Sequence, residues 1–346
     1  MKDRLPRPKS SLRPLRLGFV PLCDCAPLVM AQELGLFEKH GLKVHLSREA
    51  GWATVRDKVI YRELDAAHAL APMVFAASLG LGSAQADCVT GLVLSLNGNA
   101  IILAQSLRDA CIHNGKKLKE LVRQRRELLV LGIPLLYSSH HFLLRAWLRS
   151  QGLIPERDVQ FVVVPPPQMP SNLKAGHLDG YCVGAPWDSV ASLGGFGWRA
   201  ASSREIAPQH PEKVLMVRQE FAESHAGEHE RLIAALLEAC LFCDAPRNRE
   251  RIIETLGQPQ YVNAPLPALR EGCEFTLGRG DAAGHAPSAE NAGWVLDNMS
   301  ESGLLSDRAA LLRAAAVPIF RTDIFQNAVR TNPQHENNQT PFRNLI

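Results

Sequence analysis

Residues 17–70, LGFVPLCDCAPLVMAQELGLFEKHGLKVHLSREAGWATVRDKVIYRELDAAHAL, alternate short apolar runs with helical patterns. That alternation limits the chain to few architectures. Leu17-Gly18-Phe19-Val20 is apolar without a helical period. Residues 26–34 place apolar side chains at helical spacing and stop at Gly35, a residue suited to ending a helix. Leu42, Val44 and Leu46 alternate with Lys43, His45 and Ser47, the period of a half-buried strand. Residues 52–64 are helical again and lead into a short strand at 64–68. Strands alternating with helices of this length imply a parallel sheet with crossover helices. Ligands of such sheets sit at the carboxyl ends of the strands. Here those ends are the turn at 21–26 and the helix start at 50–54, Ala-Gly-Trp-Ala-Thr.

The pattern continues with a helix at 72–79 and apolar runs at 89–94 and 100–104 around the turn Asn97-Gly98-Asn99. Residues 105–115 read as a connection. A second series follows: helix 115–126, strand 128–132, helix 140–151, strand 159–164, helix 168–175, strand 180–183 and helix 186–193. A strand at 214–217 and helices at 228–243, 247–256, 289–302 and 307–315 complete it, with 265–284 read as a Gly/Pro-rich loop. Two series with a late return suggest two lobes: one of 15–104 plus 215–328, the other of 105–214. Residues 1–14 form a flexible arm and 329–346 a polar tail. Segment order alone also allows one large doubly wound sheet.

Composition excludes several classes. A formal net charge of +3 over 346 residues does not argue for direct nucleic-acid binding. The basic run at 116–126, KKLKELVRQRR, reads as a solvated helix face. No window reaches the roughly 18 apolar residues of a membrane span. The start, MKDRLPRPKSSLRPLR, lacks the apolar segment of a secretory leader, so a cytoplasmic location is expected. The 8 cysteines include the pair Cys240 and Cys243, but no second pair or histidines stand at zinc spacing. They read as core thiols, as do Cys23 and Cys25; no metal or cofactor is expected. There is no GxSxG, P-loop, HExxH or GxGxxG motif. Ser139, His140 and Asp158 could be drawn as a triad without support from spacing. We expect a binding protein, not an enzyme.

Several long motifs carry a resemblance: DCAPL at 24–28 with its preceding turn, REAGWATVRD at 48–57, LDAAH at 64–68, Asn97-Gly98-Asn99-Ala100, VPPPQM at 164–169, CVGAPW at 182–187 and HPEK at 210–213. In these the chain resembles the nitrate-binding proteins of ABC transporters over roughly residues 15–260. The resemblance implies an α/β, two-lobed periplasmic-binding-protein-like (type II) fold with a ligand cleft between the lobes. Without a leader, the chain is most similar to the cytoplasmic nitrate/nitrite sensors of that family. That implies a partner, an RNA-binding transcription antiterminator of the ANTAR type, held when ligand-free and released on anion binding. The alternative is the solute-binding component of a nitrate or bicarbonate ABC transporter.

A nitrate site needs one positive charge, neutral donors and exclusion of water. The resemblance assigns these roles to Trp52, Asn99, His140 and Lys213. Trp52 offers a ring face or an indole N–H. Asn99 stands where the transporter proteins carry Gln, one methylene longer. His140, rather than the adjacent His141, aligns with the family histidine at a helix start, where free N–H groups favour an anion. Lys213 supplies the charge, at the cleft rather than in a core. Gly184 lets backbone approach a ligand, and Ala185 follows it where the transporter proteins carry Glu. Asp24 and His68, also at strand ends, rank below these.

Overall fold

The computed structural model describes residues 13–114, 117–125, 127–276, 283–305 and 319–330. The expected helix at 307–315, most of the arm and the tail beyond 330 lie outside the described residues.

Among the described residues, ten strands form two five-stranded sheets. The first has the order β2-β1-β3-β10-β4, the second β7-β6-β8-β5-β9. In the first, β1 (Leu15–Phe19) pairs in parallel with β2 (Val44–Arg48) and β3 (Ala66–Leu70). Here β10 (Pro211–Arg218) runs antiparallel between β3 and β4 (Cys88–Leu96). In the second, β6 (Leu129–Ile133) pairs in parallel with β7 (Val159–Val163) and β8 (Gly180–Gly184). There β5 (Asn99–Ala104) runs antiparallel between β8 and β9 (Gly197–Ser202).

Burial follows position in the sheet. Every residue of β3 is buried, as befits a strand covered on both faces, whereas edge strand β2 is half exposed. Along β5 the pleat divides neighbours between two cores. Ala100 and Ile102 join the large core of the molecule, and Ile101 and Leu103 join a smaller one with Leu129, Leu131, Leu144 and Leu148.

The chain crosses between sheets at two adjacent places. After β4, Asn97 (φ 56°) and Gly98 (φ 90°) turn it into β5. A left-handed Gly98 carries no Cβ penalty. The return runs through 203–210 into β10. The two crossings are bonded together: Asn97 N–H donates to His210 O at 3.1 Å, and Gln209 N–H to Asn97 Oδ1 at 3.0 Å. The changeovers therefore fall at 97–98 and 203–210. That moves β5 out of the lobe 15–104, and residues 211–214 out of the lobe 105–214.

Four local expectations are corrected. Gln105–Asn114 is a helix, not a connection; among its described side chains only Leu107 is buried. Leu266–Thr276, read as loop for its prolines, is a helix in which Pro267 occupies the first turn, where no N–H is needed. The helix expected at 52–64 stops at Ile60, because Arg62 adopts φ 62°. Strand β9, written in Gly, Arg and Ala, carried no strand signal.

Candidate functional site

The two crossings and two helix starts deliver one buried cluster. Trp52 is the first residue of the Trp52–Ile60 helix and 1% exposed. Its ring lies 5.3 Å from the His68 ring on β3, and the Lys213 ammonium lies 5.3 Å from its centroid. Asn99 opens β5 opposite Gly184 at the end of β8. His140 is the second residue of the Ser139–Ser150 helix, whose N-cap Ser138 accepts from His141 N–H. Thus Trp52, Asn99, His140 and Lys213 are brought together, with Gly184 as their wall. A Cβ on Gly184 would lie 3.0 Å from Leu22 Cδ2 and 3.4 Å from Asn99 Oδ1. His141 points elsewhere: its Nδ1 lies 3.0 Å from Leu136 O and its ring packs edge-on against Phe161.

Lys213 differs from expectation. It is 0% exposed, in the core, and its Nζ lies 2.8 Å from Asp24 Oδ2 and 2.7 Å from Glu212 Oε1. A buried ammonium needs such partners, since desolvation otherwise drives off its proton. Neighbours on a strand normally face opposite ways. The register of β10 against β4 shifts between Pro211 and Lys213, and this irregularity lets Glu212 and Lys213 meet.

Glu212, which the sequence offered only as a motif letter, is the busiest group. Asn99 Nδ2 donates to it at 2.5 Å, Lys213 Nζ at 2.7 Å, and Ser139 Oγ also donates. His210 Nε2 lies 3.2 Å and His140 Nδ1 3.5 Å from its oxygens. Asp24 is the second carboxylate, with His68 Nε2 at 3.1 Å. The DCAPL and LDAAH motifs held this Asp24–His68 pair, but spacing cannot reveal that two distant strand ends face one lysine.

Burial opposes ionisation throughout, yet Lys213 and neighbouring histidines hold Glu212 well below the usual carboxylate range, and Lys213 and His68 hold Asp24 below its own. Burial also lowers Lys213, but Asp24 and Glu212 outweigh it and the ammonium is held above its ordinary value. Burial pushes His68 down and His140 down to about 4, against the pull of Asp24 and Glu212 respectively. Both rings are therefore neutral near pH 7. Several polar atoms here have no hydrogen-bond partner among the described residues: Trp52 Nε1, Asn99 Oδ1, His68 Nδ1 and both ring nitrogens of His140. Buried unpartnered donors cost free energy unless something binds them.

Neutral buried histidines make stability depend on pH. His140, His141 and His229 are each held near 4 by burial, whereas the unfolded rings titrate near 6.5. The unfolded chain thus binds more protons between those values, and stability falls as pH drops from 6.5 toward 4. Below that, protonation of Asp24 and Glu212 removes more. Thermal unfolding midpoints between pH 7 and 5 should decline steadily; a flat profile would contradict the neutral burial of these rings.

The sketched triad is not assembled. Ser139 and His140 both face Glu212, while Asp158 accepts from Ile154 N–H and pairs with Arg157. Cys240 and Cys243 lie buried on the Ala226–Asp244 helix. Among the described residues, no group of three His, Cys, Asp or Glu side chains has a metal-holding arrangement. No described helix is long and apolar enough to cross a membrane.

Comparison with known proteins matches residues 8–257 to the NMT1-like family. The nitrate import ATP-binding protein NrtC of Synechocystis sp. is 37% identical over 309 residues, covering 84% of this chain and 46% of that protein. The chain thus spans about half the length of such relatives. The nitrate/nitrite binding protein NrtA of Nostoc sp. is 30% identical over 305 residues, covering 85% of this chain and 68% of that protein. The crystal structure of the periplasmic nitrate-binding protein NrtA from Synechocystis superposes with a TM-score of 0.85 at 24% identity, over 96% of this chain and 93% of that one. The fold is therefore α/β and periplasmic-binding-protein-like.

Proposed function

The chain belongs to the NMT1-like family, and from that premise we propose that it binds nitrate or nitrite at the cluster of Trp52, Asn99, His140, Gly184 and Lys213. One observation carries the reading. Buried donors gather around one buried lysine, and those of Trp52 and His140 lack partners among the described residues. A planar monoanion suits such a site. It needs one cation and a few neutral N–H groups, and its weakly held hydration makes a dry site tolerable. The relatives named for nitrate agree with this choice. Others are named for bicarbonate transport, so bicarbonate is the competitor to test.

The test is titration with nitrate, nitrite, bicarbonate and sulfate, by calorimetry and by thermal shift. A ligand at a hundred times its Kd stabilises the folded state by about 2.7 kcal/mol, so nitrate or nitrite should raise the unfolding midpoint saturably. No shift at millimolar nitrate or nitrite, with a clear one for bicarbonate, would overturn the choice of anion.

The finer reading is a cytoplasmic sensor that, ligand-free, holds an ANTAR-type antiterminator and releases it when nitrate or nitrite binds. It is supported by the motif resemblance. The second reading is delivery of the anion to membrane ABC components, favoured by the likeness in fold to a periplasmic nitrate-binding protein. Partner capture, discussed below, separates the two.

A further inference from the structure

We propose that the Glu212 carboxylate is a built-in stand-in for the ligand: it occupies the donors that the anion uses, and the anion binds by displacing it. The inference rests on the reading of the cluster as an anion site and names the residue that sets its affinity.

Glu212 lies on β10 at the return crossing, and the groups around it come from four places in the chain. Asn99 comes from β5, Ser139 and His140 from the Ser139–Ser150 helix, His210 from the crossing itself and Lys213 from β10. Asn99, His140 and Lys213 are three of the four side chains that the family resemblance assigns to the anion. The fourth, Trp52, stands over Lys213. A carboxylate resembles nitrite and nitrate in the properties a site reads. It is planar, carries one delocalised negative charge, and offers two oxygens about as far apart as those of nitrite.

A surface glutamate would make one or two such contacts. Glu212 is 0% exposed and its two oxygens face five potential donors, as a bound anion's would. Lys213 has a second acid, Asp24, and therefore keeps a counter-charge when Glu212 leaves. Asp24 is held in turn by His68 and is not shared with Asn99, Ser139 or His210. The two carboxylates thus divide the work: Asp24 fixes the lysine, and Glu212 fills the seat. A binding-competent state populated only in part weakens apparent affinity by that fraction. Glu212 thereby sets the concentration at which the anion registers.

The test compares nitrate and formate binding, by calorimetry and thermal unfolding, in the wild type, Glu212→Ala and Glu212→Gln. Truncation opens the seat, so Glu212→Ala should bind nitrate about tenfold more tightly or better, in line with release from self-occupancy. Formate, a free carboxylate, should raise the unfolding midpoint of Glu212→Ala while leaving the wild type nearly unmoved. Glu212→Gln removes charge but keeps shape, and should gain much less than the alanine variant. Equal gains in both variants would mean that charge alone acts, and would overturn the proposal. So would a Glu212→Ala protein that binds nitrate more weakly than a wild type that binds it well; the anion-site reading would then survive. Should the alanine variant not fold without additives, its recovery on folding in formate or nitrate supports the proposal, and failure to recover overturns it. No binding of nitrate or nitrite to any of the three proteins overturns both readings.

Discussion

Replacing Lys213 by alanine is expected to destabilise the protein by about 3–5 kcal/mol, as for other buried ion pairs that lose one partner. Lys213 sits between Asp24 and Glu212 without solvent exposure. Its removal leaves two buried carboxylates without their cation. The chain must then protonate one of them or open the site to water. The midpoint of urea unfolding should fall at unchanged slope. A second change that removes one of the two stranded charges, such as Asp24→Asn, should recover part of the loss, because removing both members of a buried pair is less costly than removing one. Neither variant should respond to nitrate. A Lys213→Ala protein as stable as the wild type would show that the lysine is not held by these acids.

The second large effect concerns regulation. Ligand-free protein is expected to co-purify with an ANTAR-type antiterminator, and saturating nitrate or nitrite should dissociate the pair. Two ligands that favour different arrangements of one protein weaken each other by the same factor. To move a pair from almost fully bound to almost fully free, the anion must prefer its own arrangement by about ten-thousandfold. The cluster is placed where such coupling can start. Asn99, His210, Glu212 and Lys213 lie on the two segments that cross between the sheets, and Trp52 and His140 open helices on either side. Trp52→Phe keeps a ring but lacks the indole N–H; it should still capture the partner while needing more nitrate to release it. A complex that stays intact while nitrate is demonstrably bound would exclude the sensor and favour the transporter-type reading.

Much of the fold was legible because its signals are local. Apolar runs and alternation marked nine of the ten strands, β9 apart and β10 with a late start, and Gly35 marked a helix end that φ 66° bears out. Where polar residues flank the buried one, as at Leu107, or where proline begins a helix, as at Pro267, the same signals failed. Assignment of β5 to a sheet failed for another reason. Asn99–Ala104 reads as a strand by itself, but which strands it joins depends on partners some eighty and a hundred residues away.

The site divides along the same line. The sequence by itself determined that two β/α series are present, and the resemblance of its motifs to a known family implied Trp52, Asn99, His140, Gly184 and Lys213. Only the tertiary structure decided that Lys213 is a core residue held by two acids and that Glu212 gathers the donors. Those facts depend on a shifted register at the start of β10 and on two chain crossings bonded side by side. Charge within a few ångströms governs a buried ion, and neighbours that close are set by how the sheets meet, which spacing along the chain does not encode.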